Sequence, residues 1–300
     1  MAHGHAHTHE HGHAPEQVNK AFIIGIALNL IFVLVEAAAG FWYDSLALLS
    51  DAGHNLSDVI SLVLALLAFR MAKVKPNSRY TYGYKKSTVL VSLLNAIILL
   101  VAVGIILAES IEKLRNPQPI AGGVIAWVAG VGILINAFTA FLFLKDKERD
   151  LNIKGAYLHL MADALVSVGV VISGVIISYT HWYIIDPIIG IAIAIVILVS
   201  TWNLLRDSLR LSLDGVPAGI SAEKIRKLLL QVDGVREIHH LHIWALSTTQ
   251  NALTAHVVVA SLEDGEAVKN RIKEILSEEH IPHATLELET VAECCTDRTD

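Results

Sequence analysis

The sequence predicts a polytopic α-helical membrane protein that ends in a small α+β domain. Composition and its distribution carry this reading. Hydrophobic residues make up 54% of the 300-residue chain and charged residues only 17%, a balance foreign to soluble domains. The apolar residues are also concentrated: long runs fill roughly 21–209, whereas the chain beyond 210 reads as an ordinary soluble domain. The net charge of −6 decides little, because the charges are segregated along the chain. Cys294 and Cys295 are neighbours and build no disulfide framework, which fits a reducing compartment. The polar N-terminus and the length of the first apolar run argue against a cleavable signal peptide.

A helix crosses the ~30 Å hydrocarbon core with about 20 apolar residues. Six transmembrane segments satisfy this: about 21–41, 45–69, 87–111, 121–144, 155–178 and 183–205. Polar loops marked by Gly, Pro or Asn separate them, with Pro117 and Pro119 after the third span and Asp186-Pro187 opening the sixth. An even count places both termini on one side. The loop 70–86 carries Arg70, Lys73, Lys75, Arg79, Lys85 and Lys86, and 145–154 adds Lys145, Lys147, Arg149 and Lys154. The opposite loops offer only Lys113 and Arg115. By the positive-inside rule both termini are cytoplasmic.

Charged groups at the bilayer centre cost about 2.5–3.5 kcal/mol or more, so intramembrane ionisable residues are functional candidates. The second span holds His54 and Asp58, four residues apart and therefore on one helical face. The fifth repeats this with His159 and Asp163. At ~1.5 Å per residue, the first pair lies about 14–20 Å from the outer end of its span and the second about 12–18 Å from an inner end near Leu151. Both pairs fall mid-membrane. Two imidazoles and two carboxylates suit a tetrahedral Zn²⁺ site, and the echo of HNLSDVIS in HLMADALVS points to a central carrier site. The structural alternative is that each pair is a hydrogen bond tying helices together. Asp51, one turn from His54, either lines the outer approach or orients a ligand. Glu36, Asn29, Asn95 and Asn136 read as inter-helix hydrogen-bonding groups, and Glu109 as an interfacial one.

Outside the membrane lie two polar ends. Residues 1–15 form a disordered tail with His3, His5, His7, His9, His11 and His13 separated by mostly small residues; it reads either as a labile metal-capturing segment or as a solvated tail with no role. Residues 16–209 form the membrane domain, and 210–300 the cytoplasmic one. After LSLDGVP come a helical stretch at 221–232, the strands VREIHHLHIWAL and LTAHVVVA, the helix AVKNRIKEILSEE and the strand ATLELETV. This αββαβ order suggests a compact α+β sandwich, ferredoxin-like in type. His239, His240, His242 and His256 lie on its strands, and strand alternation sets His239 on the face opposite His240 and His242. Cys294 or Cys295 would add a thiolate ligand; histidines without a role are the alternative.

SLALLSDAGHNLSD, the second H-x-x-x-D, YIIDPIIG and the HHLHIW strand together resemble the cation diffusion facilitator family, in its zinc–cobalt–cadmium exporter branch. The resemblance spans about 16–291. It implies a homodimeric, proton-coupled antiporter of a prokaryotic inner membrane that moves divalent metal out of the cytoplasm. His54, Asp58, His159 and Asp163 would be its intramembrane ligands. Histidine at the first of these positions implies Zn²⁺ over Cd²⁺, with Co²⁺ also possible. The metallochaperone-like tail of such proteins dimerises and often binds metal. The matching positions are His239 and His256, with Glu287 and Glu289 where some relatives have a histidine and an aspartate. Some relatives bind metal in the loop between spans two and three. KVKPNSRYTYGYKK contains no His, Asp or Glu, so that site is expected to be absent. A lysine–aspartate contact at the dimer hinge would correspond to Lys86 and Asp214.

The chemistry agrees with this likeness. Zn²⁺ prefers neutral imidazole and ionised carboxylate, so metal and protons compete for the same groups, and histidine ordinarily titrates near physiological pH. Alternating access about a midplane site would then couple the two fluxes. Metal, protons, lipid and a second copy of the chain are the expected partners; a nucleic acid is not. Two rival classes are an intramembrane metal-dependent hydrolase and a membrane metal sensor. A hydrolase wants an open coordination position and usually a motif such as H-E-x-x-H, which none of the six apolar spans contains. A sensor would keep the ligands and show no flux.

Overall fold

The computed structural model describes residues 14–42, 46–116, 124–180, 182 and 184–290. The side chains of some of these, His54 and Asp51 among them, lie outside that description, as do residues 1–13 and 291–300. Six helices come first: α1 (Ala14–Trp42), α2 (Leu46–Ala72), α3 (Ser87–Arg115), α4 (Val124–Phe143), α5 (Leu151–Thr180) and α6 (Ile185–Ser212). Each coincides with one predicted span. Several run further than the apolar stretch, because helical hydrogen bonding need not stop where the hydrocarbon does. Among the described residues, Lys20–Ala39, Ser87–Arg115 and Pro187–Ser212 are long and apolar enough to cross a membrane.

The chain divides into two compact units. The first holds α1, α4 and the greater part of α2, α3, α5 and α6. Its polarity is inverted relative to a soluble bundle. Large apolar side chains face outward, including Leu34 (63% exposed), Leu134 (71%) and Phe141 (69%). Asn29, Glu36, Asn55, Asp58, Asn136 and His159 are buried instead. Water would make that distribution costly, whereas lipid makes it natural. Packing within the unit is specific. The Phe22 and Phe143 rings join α1 to α4 at 4.7 Å, and Asn29 donates to Thr139 Oγ1 at 3.4 Å. Val103, Ala162, Ala194 and Ile197 form an apolar cluster where α3, α5 and α6 meet.

The second unit holds Ala68–Ile97, Asp150–Asn152 and the chain from Trp202 onward. Within it, α7 (Ala222–Leu230), β1 (Val235–Ser247), β2 (Gln250–Val259), α8 (Gly265–Glu278) and β3 (His283–Thr290) follow the expected αββαβ order. The β1 strand pairs antiparallel with β2, which pairs parallel with β3. Ser221 caps α7 by accepting from Lys224 N–H at 3.3 Å. This satisfies one of the amides that a helix start leaves unpaired. Ile225 and Leu229 of α7 and Val268, Ile272 and Leu276 of α8 recur at helical spacing and cover the sheet with Ile238, Leu253 and Val257. Burying each such large side chain contributes about 1.5–3 kcal/mol before entropy is counted.

The β1–β2 turn joins this sheet to helix ends in the same unit. Thr248 Oγ1 is hydrogen-bonded to Asp150 Oδ2, and Thr248 N–H donates to Thr88 Oγ1 at 3.1 Å. Asp150 Oδ1 accepts from Asn152 N–H at 2.7 Å, the N-cap geometry for α5. Asn152 Nδ2 donates to the Thr88 carbonyl at 3.0 Å.

Candidate metal centres

In α5, His159 and Asp163 stand one turn apart, and Asp58 reaches them from α2. His159 Nε2 is in hydrogen-bonding contact with Asp58 Oδ1. Both residues are buried, Asp58 at 1% and His159 at 6% exposure. One ligand atom each from Asp58, His159 and Asp163 lies within 4.8 Å of the others. Ligands around a tetrahedral Zn²⁺ at about 2.0–2.1 Å stand about 3.3 Å apart, so modest side-chain rotations would close this group on an ion. Two carboxylates together in a water-poor interior repel and are poorly solvated; a divalent cation neutralises both. His54 lies one turn before Asp58 on α2, as predicted, but its side chain is outside the described residues.

The soluble domain brings a second group together. The register places His239 of β1 directly opposite His256 of β2, and His256 opposite Glu287 of β3. His239 Nε2 is 3.4 Å from Glu289 Oε2. His256 Nδ1 contacts Glu289 Oε1, and its Nε2 is 3.4 Å from Glu287 Oε2. His239, His256 and Glu289 offer ligand atoms mutually within 4.8 Å. Both His239 ring nitrogens are buried without a hydrogen bond among the described residues, which leaves lone-pair capacity for a cation. The expectation about facing fails at His240. A register shift lies between His239 and His242, and His240 adopts φ 47°. Its ring therefore comes within 5.3 Å of His239 and 5.0 Å of His256. A bulge breaks the two-residue period on which the alternation argument rests. Cys294, Cys295 and the N-terminal histidines lie outside the described residues.

Comparison with known proteins places both halves. Residues 22–211 match the family model of the cation efflux transmembrane domain. Residues 217–290 match that of the cation efflux protein cytoplasmic domain. The chain belongs to the cation efflux family. Among its relatives is the zinc transporter ZitB of Pectobacterium atrosepticum, 39% identical over 96% of this chain and 89% of the relative. A cadmium, cobalt and zinc/H(+)-K(+) antiporter of Bacillus subtilis is 35% identical over 91% and 90%. The metal cation efflux system protein CzcD of Cupriavidus metallidurans is 35% identical over 90% and 86%. The first match runs from within α1 to the last residues of α6 in this cation efflux chain, and the second covers α7 to β3. A multi-pass membrane protein follows.

Two relationships in the cation efflux fold leave little trace in the sequence. Glu36, fully buried on α1, accepts from Asn55 Nδ2 at 2.8 Å, one position along α2 from His54. The available signal is an Asn inside an apolar helix. The Asp150–Thr248 contact joins residues 98 positions apart, and nothing local announces it. The expected Lys86–Asp214 contact forms within this single chain at 2.5 Å, and Lys86 also donates to the Ala245 carbonyl at 3.1 Å.

Proposed function

We propose that this chain exports Zn²⁺ from the cytoplasm in exchange for protons, carrying the ion through a cage formed by His54, Asp58, His159 and Asp163. The observation that carries the reading is the convergence of buried Asp58 and His159 with half-buried Asp163 from two helices. The names of relatives as zinc transporters and as a cadmium, cobalt and zinc antiporter support it, and extend the substrate class to Cd²⁺ and Co²⁺. The family is one of transporters, not enzymes.

In this reading, residues 16–209 form a domain of six spans and 210–300 a ferredoxin-like cytoplasmic domain, with both termini in the cytoplasm and two copies joined as a homodimer. Metal arriving from the cytoplasm displaces protons from the cage; rocking of the helices then exposes the loaded cage to the opposite side. Protons entering there compete with the metal for imidazole and carboxylate and release it. His239, His256 and Glu289, with Glu287 beside them, would hold a further ion that cross-links β1, β2 and β3. Cys294, Cys295 and the histidines at 3, 5, 7, 9, 11 and 13 would serve as auxiliary, labile ligands.

The deciding experiment is Zn²⁺ flux into proteoliposomes under an imposed pH gradient, with wild type beside Asp163→Ala. Gradient-driven flux that disappears in the variant is the expected result. Tight Zn²⁺ binding with no flux in the wild type would overturn it in favour of a metal sensor.

A further inference from the structure

The segment joining α2 to α3 has an unusual charge balance. Lys73, Lys75, Arg79, Lys85 and Lys86 fall within it and Arg70 in the last turn of α2, while no Asp or Glu occurs between Asp58 and Glu109. Lys86 is engaged by Asp214. Among the described residues, the other five make no side-chain hydrogen bond or ion pair, and Arg70, Lys73, Lys75 and Arg79 are exposed. So much unscreened positive charge within a short loop is self-repelling unless an anion meets it.

The loop is nevertheless built. Asn77 Oδ1 accepts from the amides of Arg79 and Tyr80, each at 2.9 Å, and Gly83 N–H donates to the Tyr80 carbonyl at 2.9 Å. Gly83 holds φ 71°, where a Cβ would stand 3.0 Å from the Val74 carbonyl oxygen. The Tyr80 and Tyr84 rings pack at 4.7 Å with their planes tilted by 37°, and Tyr82 meets His283 of β3 edge-on at 5.6 Å. A defined scaffold therefore presents the cations. Interleaved with them are exposed Met71, Val74, Tyr80 and Tyr82, the mixture of apolar, aromatic and basic groups that settles at a lipid headgroup layer. The cations also sit at or within a few residues of the ends of two apolar helices.

We propose that the α2–α3 loop is a binding surface for the phosphate headgroups of anionic phospholipids. A lipid surface fits better than a soluble phosphate compound because the charges are spread along an exposed ribbon flanking two helix ends. Clusters of four to eight Lys or Arg at this position recognise anionic lipid. The orientation rests on the reading that this loop faces the cytoplasm. Engaged headgroups would fix the loop, and with it the inner end of α2, the helix that carries Asp58, so metal flux would rise with anionic lipid.

The test compares full-length wild type with the triple variant Lys73→Gln, Lys75→Gln, Arg79→Gln, and with a control losing Lys227, Lys269 and Lys273 of the soluble domain to Gln. Native mass spectrometry of the detergent-solubilised proteins would count retained phosphatidylglycerol against phosphatidylcholine. The wild type and the control should prefer phosphatidylglycerol, and the triple variant should lose at least about tenfold of that preference. Equal preference in the triple variant, or equal loss in the control, overturns the proposal. Complete displacement by soluble glycerol phosphate overturns the commitment to a lipid surface. Zn²⁺ flux in vesicles with and without phosphatidylglycerol gives the functional arm. Absence of flux in every vesicle would count against the transport reading, while lipid retention would still be read independently.

Discussion

The Asp58 carboxylate on α2 contacts the His159 imidazole on α5, and both side chains are buried in the helical unit. The contact admits two readings, part of a metal cage or a polar tie between helices, and one substitution separates them. Asp58→Asn keeps volume and hydrogen-bonding capacity but removes the charge and the better ligand oxygen. A cage would lose Zn²⁺ flux by at least about tenfold, since even outer-sphere changes at metal sites cost about 10–100-fold. A tie would lose little. Proteoliposome flux, with protein stability measured alongside, distinguishes the outcomes.

Glu36 is the next residue whose burial demands a partner, and Asn55 supplies one at 2.8 Å. Glu36→Leu would leave the Asn55 amide without this acceptor. The expected loss is about 1–3 kcal/mol, the cost of a buried polar group whose partner is removed. Glu36→Gln preserves an amide oxygen and should cost less. The thermal midpoints of the detergent-solubilised variants give the ranking; Leu as stable as Gln would contradict it.

These two contacts show what a sequence makes legible. The H-x-x-x-D spacing displays itself because helical periodicity places His and Asp on one face, and the apolar surroundings make the polar residues conspicuous. Asp58, His159 and Asp163 are therefore legible from spacing and hydropathy alone. The partner of Glu36 is not, because burial marks a residue as needing a hydrogen bond without saying which helix provides it. His240 departs from expectation for another reason. Period-two alternation assumes a regular strand, and the bulge between His239 and His242 has no glycine to announce it. The Asp150–Thr248 contact depends on how distant segments dock, which no local pattern encodes.

That contact carries its own consequence. Asp150 both caps α5 and receives the Thr248 hydroxyl. Asp150→Ala removes the cap, worth about 0.5–2 kcal/mol, and frees the β1–β2 turn from its carboxylate anchor. Hydrogen exchange at residues 247–250 should accelerate by several-fold to about tenfold, where tenfold corresponds to about 1.4 kcal/mol. Thr248→Val should reproduce the faster exchange at the turn while leaving the α5 cap intact. Unchanged exchange in both variants would show that the turn is held by other contacts.

The cluster of His239, His256 and Glu289 yields a prediction in which metal and pH act together. If these side chains hold Zn²⁺, the metal binds the folded sheet and stabilises it by mass action, about 2.7 kcal/mol at a free concentration 100 times the dissociation constant. Addition of a chelator should lower the melting temperature of the full-length protein, and Zn²⁺ should restore it. Protons compete for the same imidazoles and carboxylate, so Zn²⁺-dependent stabilisation should shrink as pH falls. His239→Ala should lower the number of bound Zn²⁺ by one per chain in equilibrium dialysis and reduce the pH-dependent part of the stabilisation. Asp163→Ala should also lower the bound count but should spare the stabilisation of the sheet, read by hydrogen exchange at residues 252–259. A sheet equally protected with and without Zn²⁺ would mean that the cluster is an internal histidine–carboxylate network and no metal centre.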